Sequence, residues 1–264
     1  MSFDPNTPNP ARMYDYLLGG KDNFAVDREA VDRLVAHIPE AGSLARANRA
    51  FLQRAVRHLA AAGVRQFLDL GSGLPTQGNV HEVVRDVAPD AKVVYVDHDP
   101  VVATHAREML EEAGRVAFVQ ADLRCPAELL AAPEVTGLLD LTEPVAVLLV
   151  SILHFVQDDD DPQAIVKILR DAMAPGSYLV LTHAVATLGR RQAEDGAKKV
   201  YRGSSNGGAT GRTVAEIRAF FGDFELVEPG LVQAMDWRPD GRLLMGDTPP
   251  SGYLLAGAAR KPLG

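Results

Sequence analysis

Short apolar runs alternate with longer segments of helical periodicity along most of the chain. Five runs are clear strand candidates, and three looser ones follow: 67–70, 92–96, 116–119, 145–150 and 178–182, then 224–227, 231–237 and 253–258. Strands that alternate with helices predict βαβ units, and runs that are apolar throughout predict strands buried on both faces. The pattern therefore predicts an α/β fold with a doubly wound, mainly parallel sheet, whose strands end at one common edge.

The first 62 residues show helical periodicity and no strand candidate. Asn9-Pro10 combines an N-cap residue with proline at the first helical position, and Gly19-Gly20 ends the short apolar helix that follows. Two more amphipathic segments cover 27–38 and 43–62. We interpret residues 1–62 as an N-terminal arm and helical cap, and residues 63–264 as the core of one compact domain.

Composition and charge argue against several classes of protein. The 264 residues include 27 Lys and Arg against 35 Asp and Glu, a net charge of −8, which disfavours extensive nucleic-acid binding. The single cysteine, Cys125, excludes an internal disulfide framework. The apolar runs are far shorter than the roughly 18 residues of a membrane span, and the acidic, proline-rich start does not resemble a signal peptide. We expect a soluble cytoplasmic protein without membrane contact.

The segment FLDLGSG at residues 67–73 carries the first candidate chemistry. Glycines at the end of a strand let the backbone approach a ligand closely, and Gly71-Ser72-Gly73 is such a turn. Thr76 stands where a dinucleotide-binding fingerprint has its third glycine. Asp69 lies inside the apolar run, where a carboxylate needs hydrogen-bond partners. It either braces its own loop or contributes to a ligand site.

Two more acids follow the next two strand candidates. Asp97 lies 24 residues after Gly73, where a carboxylate can bind both hydroxyls of an unphosphorylated ribose. Asp122 is placed to accept a hydrogen bond from an adenine amino group. Asp99 precedes a proline and is a helix N-cap candidate, and each acid alone would suit a solvated loop. Three acids at successive strand ends converge on one sheet edge, which favours a shared ligand site.

These motifs resemble those of a known family. FLDLGSG, VVYVDHDP at 93–100 and VQADLR at 119–124 resemble the successive motifs of class I S-adenosyl-L-methionine-dependent methyltransferases. NPARMYDYLLGGKDNF at 9–24, together with residues 47–76, resembles a bacterial S-adenosyl methyltransferase family once grouped as a domain of unknown function. The resemblance implies a Rossmann-like core with a seven-stranded sheet, S-adenosyl-L-methionine as cofactor and a largely unassigned acceptor.

The resemblance also implies roles for individual residues. Asp69 would help to hold the methionine amino group, and Asp97 would bind the ribose hydroxyls. Asp122 and the backbone N–H of Leu123 would recognise the adenine. The implied cofactor residues in the core are Asp69, Gly71, Ser72, Gly73, Asp97, His98, Asp122, Leu123 and Ser151, the last near the sulfonium. An acid-lined site suits a sulfonium, whereas a pyrophosphate favours bare amides and basic groups.

The N-terminal segment is a candidate lid over the cofactor. Arg49 is a candidate partner of the methionine carboxylate, because a guanidinium pairs with that group in bidentate fashion. The alternative places the tyrosines on the core and the arginines on a solvated face. The lid candidates that we assign to the cofactor site are Tyr14, Tyr16, Gly20, Lys21, Asn23 and Arg49.

Two histidines follow the fourth and fifth strand candidates. His154 and His183 are candidate general bases, since an imidazole titrates near working pH. Each also suits a structural role in a loop, and methyl transfer can proceed without a base when positioning suffices. The acids at 158–161 are interpreted as a charged helix start, and we predict no metal site.

The sequence thus predicts an S-adenosyl-L-methionine-dependent methyltransferase that acts on a small molecule. Two alternatives stay open at this point. One is a nicotinamide-dependent oxidoreductase, against which the absent third glycine counts, and the other is a non-catalytic module that binds the same cofactor. The segment 189–211, with its Gly, Ser and Asn cluster, is interpreted as a loop or a mobile cap, and the acceptor pocket is expected between the N-terminal helices and residues 189–212.

Overall fold

A computed structural model describes residues 4, 6–75, 78–110, 114–186, 191–241 and 254–263. Thr76 lies outside the described residues, as does most of the segment 241–252, for which the sequence with its Pro249-Pro250 pair predicts a hairpin-like connection. The helices within them are Pro10–Leu17 (α1), Ala25–His37 (α2), Ala41–Ala61 (α3), Val80–Arg85 (α4), Pro100–Leu110 (α5), Pro126–Leu130 (α6), Pro133–Leu138 (α7), Pro162–Ala172 (α8), Arg191–Arg202 (α9) and Val214–Ala219 (α10). The strands are Gln66–Leu70 (β1), Lys92–Asp97 (β2), Val116–Gln120 (β3), Ala146–Val150 (β4), Tyr178–Ala184 (β5), Glu225–Leu226 (β6), Val232–Gln233 (β7) and Leu254–Arg260 (β8).

One sheet joins all the described strands in the order β3-β2-β1-β4-β5-β8-β6, and β7 also pairs with β8. β1 to β5 run parallel to one another, whereas β8 runs antiparallel to β5. The predicted doubly wound, mainly parallel α/β sheet is confirmed. The seven strands that the resemblance implies are an approximate count: the described residues form eight strands, because β6 and β7 are separate short strands that pair with different parts of β8.

Helices cover both faces of the sheet, as the continuous apolar runs predict. β1 and β4 are buried at every position. Leu68 and Val147 belong to a hydrophobic cluster on one face, and Phe67 and Leu148 belong to another on the opposite face. Packing on both faces of the sheet fixes the positions of the strand ends, where the candidate site residues lie.

The segment after β7 leaves the sheet, although the sequence predicts a strand over 231–237. Arg54 of α3 donates hydrogen bonds to the carbonyls of Ala234 and Trp237, at 2.7 and 2.9 Å. Trp237 is fully buried and packs against α3. An apolar residue that packs against a helix gives the same sequence pattern as one in a strand, which explains the difference.

Helix α9 occupies residues 191–202, where the sequence predicts a loop or mobile cap over 189–211. Val200 joins residues of α1 and α2 in a third hydrophobic cluster. Gly196 lies against His37 of α2, where a Cβ would come within 2.3 Å of the imidazole. Because most other positions of α9 are polar or charged, its apolar face is too narrow for the sequence pattern to show.

The winding of the sheet reverses between β1 and β4. β2 and β3 lie on one side of β1, and β4 and β5 lie on the other. A crevice forms outside the C-terminal ends of the strands at such a switch point. Gly71 and Ser151, which follow β1 and β4, line that crevice together with Tyr14 of α1. In the described part of the chain, no helix has both the length and the hydropathy that a membrane span requires.

Candidate active site

A central cavity opens at the sheet edge, between the ends of β1, β2 and β4 and helix α1. Its empty volume is about 870 Å³, including space open to solvent, which lies within the range of small-ligand sites. Its wall includes ten residues that the sequence analysis selects: Tyr14, Arg49, Asp69, Gly71, Ser72, Gly73, Asp97, His98, Ser151 and His154. The fold thus brings together residues from five separate segments of the chain.

The turn after β1 is shaped by a close neighbour. Gly71 has a φ of +73°, and a Cβ on it would lie 2.4 Å from Cγ1 of Ile152. The amides of Gly71 and Ser72 donate hydrogen bonds to the carbonyl of Val96, at 2.8 and 3.1 Å. Only glycine combines this conformation with this close approach. The turn therefore brings backbone atoms to the cavity wall.

Asp97, the last residue of β2, holds the turn in place. Its Oδ2 accepts a hydrogen bond of 2.9 Å from the amide of Gly73, and its Oδ1 accepts one of 3.0 Å from the amide of Asp99. Burial raises the pKa of Asp97. Nδ1 of His98 lies 3.6 Å from Oδ1 of Asp97. The two hydrogen bonds thus hold the carboxyl group of Asp97 in one orientation, largely buried from solvent, in the wall of the cavity.

Asn9 connects the N-terminal arm to this network. Its Nδ2 donates hydrogen bonds to Oδ2 of Asp99 and, at 3.1 Å, to Oγ of Ser205. Its Oδ1 accepts from two amides in the first turn of α1, as the capping signal predicts. Asp99 also has its predicted capping role, because its Oδ1 accepts from the amide of Val101. The sequence pattern predicts the cap at Asn9, but it contains no signal that this residue also lines the cavity.

Asp69 and Arg49 form the charged part of the cavity wall. Asp69 is 6% exposed. Burial raises its pKa to about 7, an effect that Arg49 opposes and Asp97 reinforces. Arg49, on α3, donates a hydrogen bond of 3.1 Å to Oδ1 of Asn79. A buried acid beside an arginine suits a ligand that carries both a cationic and an anionic group, as an amino acid does.

A second cavity adjoins the central one and shares Gly71, Asp97 and His98 with it. Asp122 and Leu123, which follow β3, line this second cavity. Arg124 donates to both carboxylate oxygens of Asp122 at 2.6 to 3.1 Å, and these hydrogen bonds lower the pKa of Asp122. Asp122 is therefore an ionised acceptor with a fixed orientation, next to the ribose-binding candidate Asp97.

Four lid candidates lie outside the lining of these cavities. The buried carboxylate of Asp15 explains their placement, because its Oδ2 accepts hydrogen bonds from the amide of Asp22 and from Nδ2 of Asn23. A Cβ on Gly20 would lie 1.9 Å from Oδ1 of Asp15. The chain after α1 therefore folds back on α1 and not over the cavity. Of the four candidates, Tyr16 lies on α1 itself, and Gly20, Lys21 and Asn23 lie in the segment that follows it.

The two candidate bases have different surroundings. His154, in a short 3-10 helix, lines the central cavity, and its buried Nδ1 has no hydrogen-bond partner among the described residues. Burial lowers its pKa to about 3, so the imidazole is neutral at physiological pH. His183 is fully buried, with Nδ1 2.7 Å from the carbonyl of Ala184 and Nε2 2.9 Å from Nη1 of Arg212. Because arginine only donates, the acceptor nitrogen of His183 is already used, and the structure gives this residue a packing role.

A third cavity, which we call the apolar chamber, adjoins the central one on the side of the helical cap. Its empty volume is about 970 Å³. Tyr14, Asn48, Ser151, His154 and Tyr201 line both spaces. Neither Asn48 nor Tyr201 is predicted from the sequence: Asn48 is a neutral residue next to Arg49 within the segment 47–76, and Tyr201 lies on α9, which carries no motif. Helices α1, α2, α3 and α9 surround the chamber. They comprise the N-terminal helices and part of the segment 189–212, between which the sequence predicts the acceptor pocket.

Comparison with known proteins identifies the family. A sequence model of the S-adenosyl methyltransferase family matches residues 1–262. The chain belongs to this family. It is thus an S-adenosyl-L-methionine-dependent methyltransferase, as its motifs predict, and its acceptor is unidentified. Family membership favours this activity over that of a nicotinamide-dependent oxidoreductase.

Solved structures support the assignment of this methyltransferase. A protein of Thermobifida fusca YX, provisionally described as a methyltransferase, is 45% identical, with a TM-score of 0.90 over 97% of this chain and 96% of that one. A DUF574 family protein of Streptomyces avermitilis MA-4680 is 42% identical, with a TM-score of 0.92 over 98% and 99% of the two chains. Human N-acetylserotonin methyltransferase in complex with SAM shares the fold, at 15% identity and a TM-score of 0.51, over 97% and 63% of the chains. No curated protein matches the chain.

Proposed function

We propose that this methyltransferase holds S-adenosyl-L-methionine in the central cavity and methylates a small molecule. The observation that carries the proposal is the pair of buried carboxyl groups, Asp69 and Asp97, in the wall beside the glycine turn. Their raised pKa values reflect burial without a full countercharge, so a ligand with sulfonium and ammonium groups stabilises their ionised forms. Bound there, the cofactor supplies an electrophilic methyl carbon.

The cavity wall supports one orientation of the cofactor. Asp97 would bind the ribose hydroxyls, and Asp69 with Arg49 would hold the amino and carboxylate groups of the methionine part. Asp122 and the N–H of Leu123 would recognise the adenine in the second cavity, which continues from Asp97. This order follows the order of the strands, from β3 through β2 to β1.

The reacting end of the cofactor would then face the passage to the apolar chamber. Ser151 and His154 line both the central cavity and this chamber. His154 is neutral and presents a buried nitrogen without a partner among the described residues. We assign it the role of accepting the acceptor's proton, while the backbone of Gly71-Ser72-Gly73 keeps the cofactor in position.

The helical cap and the charge of the chain favour a small acceptor. α1, α2 and α9 share a hydrophobic cluster beside the passage, which restricts the approach of a polymer. The net charge of −8 disfavours a large phosphate footprint, and we propose no nucleic-acid partner.

The cytoplasmic location, the bacterial origin and the division at residue 62 stay predictions. α3 packs on the sheet through Phe51 and Val56, so we assign the cap role to α1, α2 and α9.

Titration calorimetry with S-adenosylhomocysteine tests this placement of the cofactor. Asp97→Asn keeps the size of the side chain but removes its charge and one acceptor, and we expect the affinity to fall at least tenfold. Asp171→Asn removes an exposed acid that pairs with Lys167 on α8, and we expect it to bind as the wild type does. Unchanged affinity in Asp97→Asn, with heat released normally in the control, would place the cofactor elsewhere.

A further inference from the structure

We propose that the apolar chamber is the acceptor site, and that it takes an uncharged, largely apolar molecule methylated on a hydroxyl group. The inference rests on the proposed function, because it places the transferred methyl group at the passage formed by Ser151 and His154. It adds the chemical class of the acceptor, which the family does not specify.

The chamber is built to hold apolar atoms. Residues of α1, α2, α3, β8 and the end of β5 contribute to its wall, among them Leu17, Leu34, Ile38, Leu44, Val185 and Leu254. A ligand that covers this surface gains the free energy of removing apolar area from water. An ionic group placed against these apolar side chains loses its hydration without compensation from them.

The charges around the chamber do not select an ion. Glu194 and Lys198, one turn apart on α9, are the charged residues of its described lining, and they have opposite signs. Lys198 is exposed to solvent. The nearby guanidinium of Arg212 is committed, because its two Nη atoms donate to two backbone carbonyls, to His183 and to Asp158. Among the described residues, a carboxylate or phosphate substituent therefore meets one lining cation, the solvent-exposed Lys198, with the acid Glu194 one turn away on the same helix.

Most polar groups at the passage already have partners. The hydroxyl of Tyr14 donates to the carbonyl of Ala45 at 3.0 Å and accepts from Nδ2 of Asn48 at 2.9 Å. Oγ1 of Thr182 donates a hydrogen bond of 2.7 Å to Oδ1 of Asn48. The same Oγ1 of Thr182 accepts a hydrogen bond of 2.8 Å from the amide of Ser151. This chain of hydrogen bonds fixes the wall and leaves few groups for a ligand.

Three uncharged side chains with polar atoms lie at the passage, Ser151, His154 and Tyr201, and the buried Nδ1 of His154 has no hydrogen-bond partner among the described residues. All three line both the central cavity and the chamber. Burial lowers the pKa of His154 to about 3 and raises that of Tyr201 to about 12. A buried polar group without a partner destabilises the empty site. A hydroxyl can donate to the imidazole and accept from a neighbouring O–H at once, whereas an ion would contact only neutral groups.

The chemistry of the step balances with these residues. The acceptor oxygen forms a bond to the methyl carbon, the bond between that carbon and sulfur breaks, and its electron pair stays on sulfur. The hydroxyl proton passes to the imidazole of His154 and from there to solvent, so the positive charge moves from sulfur to the histidine. An oxygen that carries both the new methyl group and its proton is far more acidic than an imidazolium, so a weakly basic histidine suffices.

Titration calorimetry with 2-naphthol and 2-naphthoate tests the proposal, because the two probes share a ring system and differ in charge. In wild-type protein saturated with S-adenosylhomocysteine, we expect 2-naphthol to bind and 2-naphthoate to bind at least tenfold more weakly. Ala197→Trp fills the chamber from α9 and should abolish binding of 2-naphthol. Ala36→Trp, on the exposed side of α2, should leave it unchanged.

Equal binding of the two probes, no binding of 2-naphthol to the wild type, or unchanged binding to Ala197→Trp would each overturn the proposal. If thermal unfolding shows that Ala197→Trp does not fold, Ala209→Trp, which lines the chamber from the loop after α9, replaces it. The affinity for S-adenosylhomocysteine is measured separately, and its absence overturns the proposed function. The probe titrations are then repeated without it, so that the chamber is tested on its own.

Discussion

The backbone amide of Gly73 donates a hydrogen bond of 2.9 Å to Oδ2 of Asp97. The acid that ends β2 therefore holds the glycine turn that ends β1. The same carboxyl accepts from the amide of Asp99, and Asp99 in turn contacts Asn9 of the N-terminal arm. The proposed ribose-binding acid thus connects the sheet, the glycine turn and the cap, so binding and folding effects have to be separated by matched variants.

The contact between Asn9 and Asp99 leads to a first prediction. Asn9→Ala removes the cap of α1 and the hydrogen bonds to Asp99 and Ser205, and we expect about 1 kcal/mol of stability to be lost. Because Asn9 also lines the central cavity, the affinity for S-adenosylhomocysteine should fall as well. Chemical denaturation and calorimetry measure the two effects.

Thr213→Ala is the matched control, since Thr213 caps α10 away from the cavities. It should lower stability by a similar amount and leave the affinity unchanged. If Asn9→Ala behaves in the same way as this control, the arm has no part in cofactor binding.

The close approach of Gly71 to Ile152 gives a second prediction. In Gly71→Ala, the new Cβ would lie 2.4 Å from the Ile152 side chain, and the displaced isoleucine would enter the cavity. We expect a loss of affinity for S-adenosylhomocysteine of tenfold or more. Trimming the neighbour in Gly71→Ala/Ile152→Ala should restore part of it.

Gly63→Ala controls for backbone strain, because Gly63 has a φ of +99° and a Cβ on it would meet no described residue beyond its chain neighbours within 4 Å. It should cost roughly 1 to 2 kcal/mol of stability without loss of affinity. Equal affinity in Gly71→Ala and the wild type would mean that the turn does not shape the ligand site.

The titration of Asp69 gives a third prediction, on the pH dependence of cofactor binding. Its pKa of about 7 means that the carboxyl of the free protein is protonated below neutrality. A cationic ligand favours the carboxylate, so binding releases a proton, and affinity should rise as the pH increases from 5.5 to 7.5. The slope approaches about tenfold per pH unit at the acidic end and flattens above pH 7. Asp69→Asn should bind more weakly, with a flatter profile; a profile identical to that of the wild type would exclude Asp69.

The same raised pKa has an opposite consequence for stability. Because the folded protein keeps the Asp69 proton up to about pH 7 and the unfolded chain loses it near 3.8, the folded state binds more protons between these values. The unfolding free energy of the ligand-free protein should therefore fall as the pH rises through this window. Denaturation of the wild type and Asp69→Asn at several pH values measures the difference, which should be largest near pH 7.

A fourth prediction concerns the two buried histidines. The pKa values of His154 and His183, lowered by burial to about 3 and about 4, predict that neither imidazole titrates between pH 5 and 8. Nuclear magnetic resonance of the ring protons, assigned with His154→Gln and His183→Gln, reports this directly. A midpoint above pH 5.5 for His154 would show that the residue is more solvated than its surroundings indicate.

Much of the fold and part of the site follow from the sequence. The parallel strands are recognisable because both faces are buried, so their residues are apolar throughout, as in β4. Since parallel strands end at one edge, acids at successive strand ends such as Asp69 and Asp97 are expected in one place, and they line one cavity.

The remaining features depend on tertiary packing that local patterns do not report. α9 buries a narrow face through Val200, so its polar residues conceal the helix. Asn23 and Gly20 surround the buried carboxylate of Asp15. A buried carboxylate requires the same polar and small residues around it as a bound ligand does, so the sequence pattern resembles that of a ligand site. In the sequence, His183 follows the fifth strand candidate as His154 follows the fourth, but in the structure His183 lies within β5 and contacts Arg212, whereas His154 lines the cavity.

The most direct test of the central claim is a crystal structure of the protein with S-adenosylhomocysteine. Our account predicts carboxylate oxygens of Asp97 within hydrogen-bond distance of the ribose hydroxyls, the amino acid end beside Asp69 and Arg49, and the sulfur directed toward Ser151 and His154. A ligand whose ribose lies away from Asp97, or whose sulfur faces away from the apolar chamber, would contradict it.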